Sequence, residues 1–95
     1  MDKREIVQTF RRRLGEAMAE RGVSQSALSR TVGVDRSTLS QLLDEDTVRI
    51  PRGDTVAAIG EALQVSTDWL LGLTSDSRFG AEILRQSLWL VQDLP

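Results

Sequence analysis

Two short helical patterns separated by only three residues constrain the fold of this chain more than any other feature. The patterns run from Gln25 to about Val32 and from Arg36 to about Leu43, with Gly33-Val34-Asp35 between them. Ser24 and Asp35 are typical N-cap residues, and glycine permits the positive φ that a tight turn after a helix needs. Because so short a turn makes the two helices cross steeply, we expect a compact helical pair here.

Four further helices are predicted around this pair, so the predicted fold class is all-α. Apolar residues recur at helical spacing in each of them. In the first, Ile6, Phe10, Leu14 and Met18 recur every four residues with Ala17 beside them, as expected of a buried stripe. Ser66 is placed to cap the fifth helix, and Gly22 and Gly72 to end the first and the fifth. The predicted segments are about Asp2 to Glu20, Asp54 to Leu63, Thr67 to Leu71 and Arg78 to Val91.

The chain of 95 residues is long enough for one domain. We assign residues 1–73 to a bundle of five short helices and residues 74–95 to a linker and a sixth helix. This last helix has more apolar surface than a solvated helix exposes. We therefore expect it to pack on the domain, on a second copy of the chain, or on an effector domain beyond residue 95. Its candidate dimer contacts are Ile83, Leu84, Leu88, Trp89 and Val91, and core packing is an equal alternative for Trp89.

Composition argues against several classes of function. The sequence contains neither cysteine nor histidine, which disfavours disulfides and removes the commonest metal ligand and general base. Without histidine no serine-nucleophile triad can form, and we expect neither enzymatic activity nor a metal or cofactor. No apolar run approaches the ~20 residues of a membrane span, and the mixed charges of Met1 to Glu5 do not suit a signal peptide. We expect a cytoplasmic protein.

The formal net charge of −2 counts against nucleic-acid binding, but the charges are unevenly distributed. Acidic residues cluster at Asp44-Glu45-Asp46. An uneven surface can still bind a polyanion through one basic face. Eight of the arginines form an early group and a central group, which are Arg11, Arg12, Arg13 and Arg21, and Arg30, Arg36, Arg49 and Arg52.

The second helix of the central pair has a polar outward face. Helical spacing points four hydrogen-bonding side chains away from Leu39 and Leu42. Arginine and glutamine form paired hydrogen bonds with guanine and adenine edges in a DNA major groove. The pattern therefore indicates a helix that reads DNA, although each of these residues taken alone is more typical of a solvated surface. The four residues are Arg36, Ser37, Ser40 and Gln41.

Residues 9–72 resemble the lambda-repressor-like, or XRE-type, helix-turn-helix family of bacterial and phage regulators. The resemblance rests on SQSALSRTVGVDRSTLSQLL at residues 24–43 and PRGDTVAAIGEALQVSTDWLLG at residues 51–72. It implies a DNA-binding transcriptional regulator, usually a repressor, that binds a two-fold symmetric operator as a homodimer. The alternative is an antitoxin or another protein-interaction module, which the acidic balance and the apolar C-terminal stretch favour.

The family's residue roles extend to this chain through the matching positions. Arg36, Ser37 and Gln41 match base-reading positions, and Ser40 is a candidate fourth. Gln25 matches a glutamine that binds a phosphate and braces the recognition helix. Thr38, Arg49 and Arg52 match phosphate-binding positions, with Arg11 and Arg13 as further candidates or ordinary solvated residues. The turn and motif core are Ala27, Leu28, Val32, Gly33, Val34 and Leu39.

Two positions depart from the family pattern. Asp44-Glu45-Asp46 replaces the commoner Glu-Asn-Gly type of turn, which alters the geometry and charge expected of that loop. Asp35 occupies a place where serine or threonine is frequent, and it is suited either to capping the helix or to accepting a hydrogen bond from a cytosine amino group.

Overall fold

The computed structural model of the protein describes residues 2–76, and within that range it contains five α-helices and no β-strand. The all-α prediction is confirmed, and each helix of the predicted bundle lies within one residue of its predicted bounds. None of the described helices is long and apolar enough to cross a bilayer. The helices are α1 (Lys3–Arg21), α2 (Gln25–Val32), α3 (Arg36–Leu43), α4 (Gly53–Leu63) and α5 (Thr67–Leu71).

The C-terminal predictions lie outside the described residues. They comprise the sixth helix, expected over about residues 78–91, and the candidate dimer contacts Ile83, Leu84, Leu88, Trp89 and Val91.

Most helix ends coincide with the predicted caps. The side chains of Ser24 and Ser66 each accept a hydrogen bond from the backbone N–H three residues further on, at 3.1 and 3.3 Å. These bonds satisfy donors that the first turn of a helix leaves without partners. Three helices end at a glycine in the left-handed conformation, namely Gly22, Gly33 and Gly72.

Helix α4 begins and ends differently. It starts at Gly53, one residue earlier than predicted, behind Arg52, whose side chain makes no capping hydrogen bond. Its C-cap residue is Gln64, which follows Leu63 and has a φ of 57° although it is not a glycine. The carbonyl of Gln64 accepts a hydrogen bond from Arg21 at 3.2 Å, and its side chain donates to the Glu61 carbonyl at 2.8 Å. These contacts stabilise a backbone conformation that side chains disfavour.

Aliphatic side chains from all five helices meet in one hydrophobic core. Burying them is the main stabilising term for a domain of this size, at about 1.5–3 kcal/mol for each large side chain. Trp69 packs against the edge of this core. The fully buried large side chains are Leu14, Leu28, Leu39, Ile59, Leu63 and Leu70.

The buried stripe of α1 differs from the predicted one at its N-terminal end. Val7 is buried and Ile6 is only half-buried, so the assignment of Ile6 to the core was wrong. A spacing of four residues advances by 400° around a helix, so a strict four-residue repeat drifts off one face. Val7 with Phe10 and Leu14 has the alternating spacing of three and four that stays on the face turned to the core.

Candidate nucleic-acid interface

The turn between α2 and α3 is closed by Ser29 and Gly33. Gly33 has a φ of 82°, which reverses the chain after α2. The Ser29 carbonyl accepts hydrogen bonds from the N–H groups of Gly33 and Val34 at 2.9 and 3.1 Å. The Ser29 hydroxyl donates to the Val34 carbonyl at 2.6 Å, and this serine is 6% exposed. The turn is therefore held by both the backbone and the side chain of one buried residue.

The residues predicted as the core of the motif lie where α2 meets α3. Leu28 and Leu39 are buried in the main core, and Val32 packs against it. Ala27 and Val34 are half-buried. These contacts fix the orientation of α3, because its inner face packs against α2 while its outer face is exposed to solvent.

The outer face of α3 is polar and exposed. Arg36, Ser37 and Gln41 are all exposed, whereas Leu39 and Leu42 are buried on the opposite face. Thr38 and Ser40 are exposed beside them. The structure thus brings all four predicted base-reading side chains to one accessible face.

Gln25, at the start of α2, contacts this face directly. The Ser40 hydroxyl donates a hydrogen bond to Oε1 of Gln25 at 3.2 Å. The contact joins the start of α2 to the second turn of α3, and it leaves the Nε2 donors of Gln25 available to an anion. Gln25 thus contacts α3 through Ser40.

Arg49 and Arg52 lie at the edge of α3. With Thr38 and Gln41 they line a cleft of about 220 Å³ between α3 and the loop after it. Arg52 forms an ion pair with Asp54 at 3.4 Å, but the two side chains are 86% and 69% exposed. An ion pair this exposed contributes little to stability. Arg52 would therefore lose little free energy on exchanging Asp54 for another anion such as a phosphate.

Arg11 and Arg13, predicted as further phosphate candidates or solvated residues, form hydrogen bonds within the chain. Arg11 donates to the Glu45 carbonyl at 2.6 Å. Arg13 donates to the carbonyls of Trp69 and of Thr74, the latter at 2.8 Å, and its guanidinium carbon lies 5.1 Å from the centroid of the Trp69 ring. Both arginines thus connect α1 to chain segments that follow other helices, Arg11 to the loop after α3 and Arg13 to the end of α5 and the residues after it.

The acidic loop after α3 forms an ordinary side-chain-stabilised turn. Oδ1 of Asp44 accepts a hydrogen bond from the N–H of Asp46 at 2.9 Å, which is the bond by which aspartate commonly initiates a turn. Together with Arg11, this contact positions the start of the loop that holds Arg49 and Arg52.

A family model for the helix-turn-helix domain matches residues 14–70, which is more than half of the chain. The chain belongs to the helix-turn-helix family. Its type is the XRE or lambda-repressor-like one, in agreement with the resemblance seen in the sequence. Neither a comparison with curated proteins nor one with solved structures gives a match.

Membership of the helix-turn-helix family explains the arrangement around α3. The family is one of DNA-binding domains rather than catalytic ones, and its members are transcriptional regulators. In a helix-turn-helix the second helix enters the major groove. Helix α3 therefore occupies the place of the recognition helix, and α2 the place of the helix that crosses the DNA backbone.

Proposed function

We propose that the chain is a sequence-specific transcriptional repressor that acts in the cytoplasm and binds a two-fold symmetric operator as a homodimer. The observation that supports it best is the outer face of α3. Arg36, Ser37 and Gln41 are exposed there, on a helix whose inner face is locked into the core. Such a helix presents hydrogen-bonding groups at fixed positions, as direct readout of base edges requires.

Base contacts and phosphate contacts have separate roles in this proposal. Arg36, Ser37 and Gln41 select the DNA sequence. Ser40 faces the major groove beside them and also holds Gln25 by a hydrogen bond. Phosphate contacts set the register of the protein on the duplex without reading sequence. We assign these contacts to Thr38 on the recognition helix and to Gln25, Arg49 and Arg52 beside it.

Repression would follow from occupancy of the operator. A dimer places its two recognition helices in successive major grooves, about 34 Å apart on one side of the duplex. We propose residues 1–73 as the DNA-binding unit and residues 74–95 as the segment that supplies dimer contacts, because that segment is rich in apolar residues.

Replacing Arg36 by alanine tests base reading. Each good bidentate base contact contributes roughly 1–3 kcal/mol of discrimination. We expect Arg36→Ala to weaken binding to the selected operator about ten-fold or more, and to weaken binding to random duplex much less. The operator is first selected from a randomised duplex library, and both affinities are then titrated against salt. Arg12→Ala is the matched control, because Arg12 is an exposed arginine of α1 whose one ion pair within residues 2–76 is with Glu16.

An equal loss on operator and random DNA would show that Arg36 contacts phosphate rather than a base. The selection also tests the dimer, since a dimer enriches two inverted half-sites and sediments at twice the monomer mass. If no sequence is enriched and binding does not depend on salt, the interaction-module alternative replaces the repressor proposal.

A further inference from the structure

An unpaired carboxylate lies at the DNA-facing start of the recognition helix. Asp35 is the N-cap residue of α3, directly before Arg36, and it is exposed. Its side chain makes no capping hydrogen bond, whereas Asp2, Ser24 and Ser66 all cap their helices through the side chain. Within residues 2–76 it also has no ion-pair partner. The carboxylate is therefore free to accept hydrogen bonds from outside the chain.

A free carboxylate at a DNA interface is unfavourable unless it meets a donor, since the phosphates around it repel it. An ionised carboxylate only accepts hydrogen bonds. In the major groove the donors are the N4 amino group of cytosine and the N6 amino group of adenine. Guanine and thymine present acceptors there, so a carboxylate rejects both.

Cytosine suits the carboxylate better than adenine does. Adenine presents the N7 acceptor beside its amino group, and that lone pair repels a second carboxylate oxygen. Cytosine presents its amino group without a neighbouring acceptor. The same reasoning applied to Arg36, which only donates, favours guanine through O6 and N7.

We propose, building on the function proposed above, that Asp35 is a specificity-determining residue that accepts a hydrogen bond from the N4 amino group of a cytosine. Each half-site then contains one position at which cytosine is required. Asp35 only accepts hydrogen bonds and the adjacent Arg36 only donates them. Together they select a cytosine and a guanine, either in one base pair or in adjacent ones.

Asp35→Asn tests this proposal, because it keeps the size of the side chain and replaces one acceptor by a donor. A carboxamide pairs with N6 and N7 of adenine. We expect the wild-type chain to favour cytosine about ten-fold at one position of each half-site. The Asp35→Asn variant should favour adenine at that position alone, and Asp35→Ala should favour no base there.

Glu45→Gln is the control for charge. Glu45 is an exposed acid in the loop after α3, and its substitution also removes one negative charge. It should bind all duplexes somewhat more tightly and keep the cytosine preference. Thermal unfolding of Asp35→Asn should stay close to wild type, because the carboxylate makes no bond within the described part of the chain.

The selection is run on the full chain with the same randomised duplex library for every variant. If Asp35→Asn retains the wild-type base profile at every position and only binds more tightly, Asp35 acts through its charge and the inference is overturned. If the wild-type chain enriches operators but none has a required cytosine, the inference fails while the repressor function stands. If the wild-type chain enriches nothing, the proposed function itself fails.

Discussion

At the scale of single residues, Ser29 determines the shape of the helix-turn-helix. Its carbonyl accepts two backbone N–H groups and its hydroxyl donates to the Val34 carbonyl, so three hydrogen bonds converge on one buried residue. A buried carbonyl that loses its donor is left with its full desolvation penalty. The Ser29 hydroxyl therefore contributes more to the stability of the domain than the hydroxyl of a surface serine would.

We expect Ser29→Ala to lower the free energy of unfolding by about 1–3 kcal/mol, because the Val34 carbonyl loses its side-chain donor in a nearly buried place. Chemical denaturation followed by circular dichroism measures the change. Ser26→Ala, in the same helix but at a half-buried position without such a bond, should change stability by less than about 0.5 kcal/mol. Equal effects for the two serines would mean that the Ser29 hydroxyl does not hold the turn.

Individual side-chain partners were the part of the site that sequence could not predict. Asp35 was predicted as an N-cap and does stand there, but its side chain does not make the capping bond. Arg13 was a candidate for phosphate contact or an ordinary solvated residue, and it donates hydrogen bonds to the carbonyls of Trp69 and Thr74. A serine such as Ser29 is equally typical of a solvated position. The partners of Arg13 come from a distant part of the chain, which no local pattern specifies.

At the scale of secondary-structure elements, the turn between α2 and α3 depends on backbone conformation rather than on space. A Cβ atom built on Gly33 meets no other atom within 4 Å, yet the φ of 82° disfavours any side chain. Gly15, in the middle of α1, likewise leaves open space for a Cβ atom but has no left-handed backbone. The two glycines thus differ in conformation while both leave room.

We expect opposite effects from the same substitution at these two glycines. Gly33→Ala should destabilise the domain by about 1–2 kcal/mol through left-handed strain, and it should weaken operator binding because α3 is displaced. Gly15→Ala should stabilise it by roughly 0.5–1 kcal/mol, since alanine is the better helix former. Thermal unfolding of the two variants side by side gives the comparison, and stabilisation by both would refute the conformational argument.

Helix bounds were predictable because their causes are local. Ser24 and Ser66 begin helices and Gly22, Gly33 and Gly72 end them through bonds made within a few residues of the chain. The buried face of α1 was less predictable. The four-residue repeat of Ile6 and Phe10 matched a helical pattern, but Val7 is buried in the structure and Ile6 is only half-buried. The geometry of the loop from Asp44 to Arg52 depends on Arg11, more than thirty residues earlier in the sequence.

At the scale of the whole molecule, Arg13 joins α1 to α5 and to the chain that follows it. Its guanidinium donates to two carbonyls and lies over the ring of Trp69. Gly72 supports the same junction, because a Cβ atom there would lie 3.2 Å from Cγ2 of Thr9 on α1. The first and last described elements are thus fastened to each other.

We expect Arg13→Ala to lower the free energy of unfolding by about 2 kcal/mol, because it removes charge-assisted hydrogen bonds and a cation–π contact. Arg12→Ala provides the comparison, since Arg12 is exposed and, in the described part of the chain, forms a surface ion pair with Glu16 at 3.8 Å. Such a pair contributes less than about 0.5 kcal/mol to stability. Urea denaturation at neutral pH separates the two. Equal midpoints for the variants would show that the Arg13 contacts do not stabilise the domain.

The positions of Arg11 and Arg13 have a mechanical consequence. The two residues lie about 3 Å apart along the axis of α1 and project from nearly opposite sides of it. One binds the loop that leads to Arg49 and Arg52, and the other binds Thr74, where the chain leaves the domain. Less than one turn of α1 therefore anchors both the loop that carries Arg49 and Arg52 and the point at which the chain leaves α5, so the two segments share one rigid support.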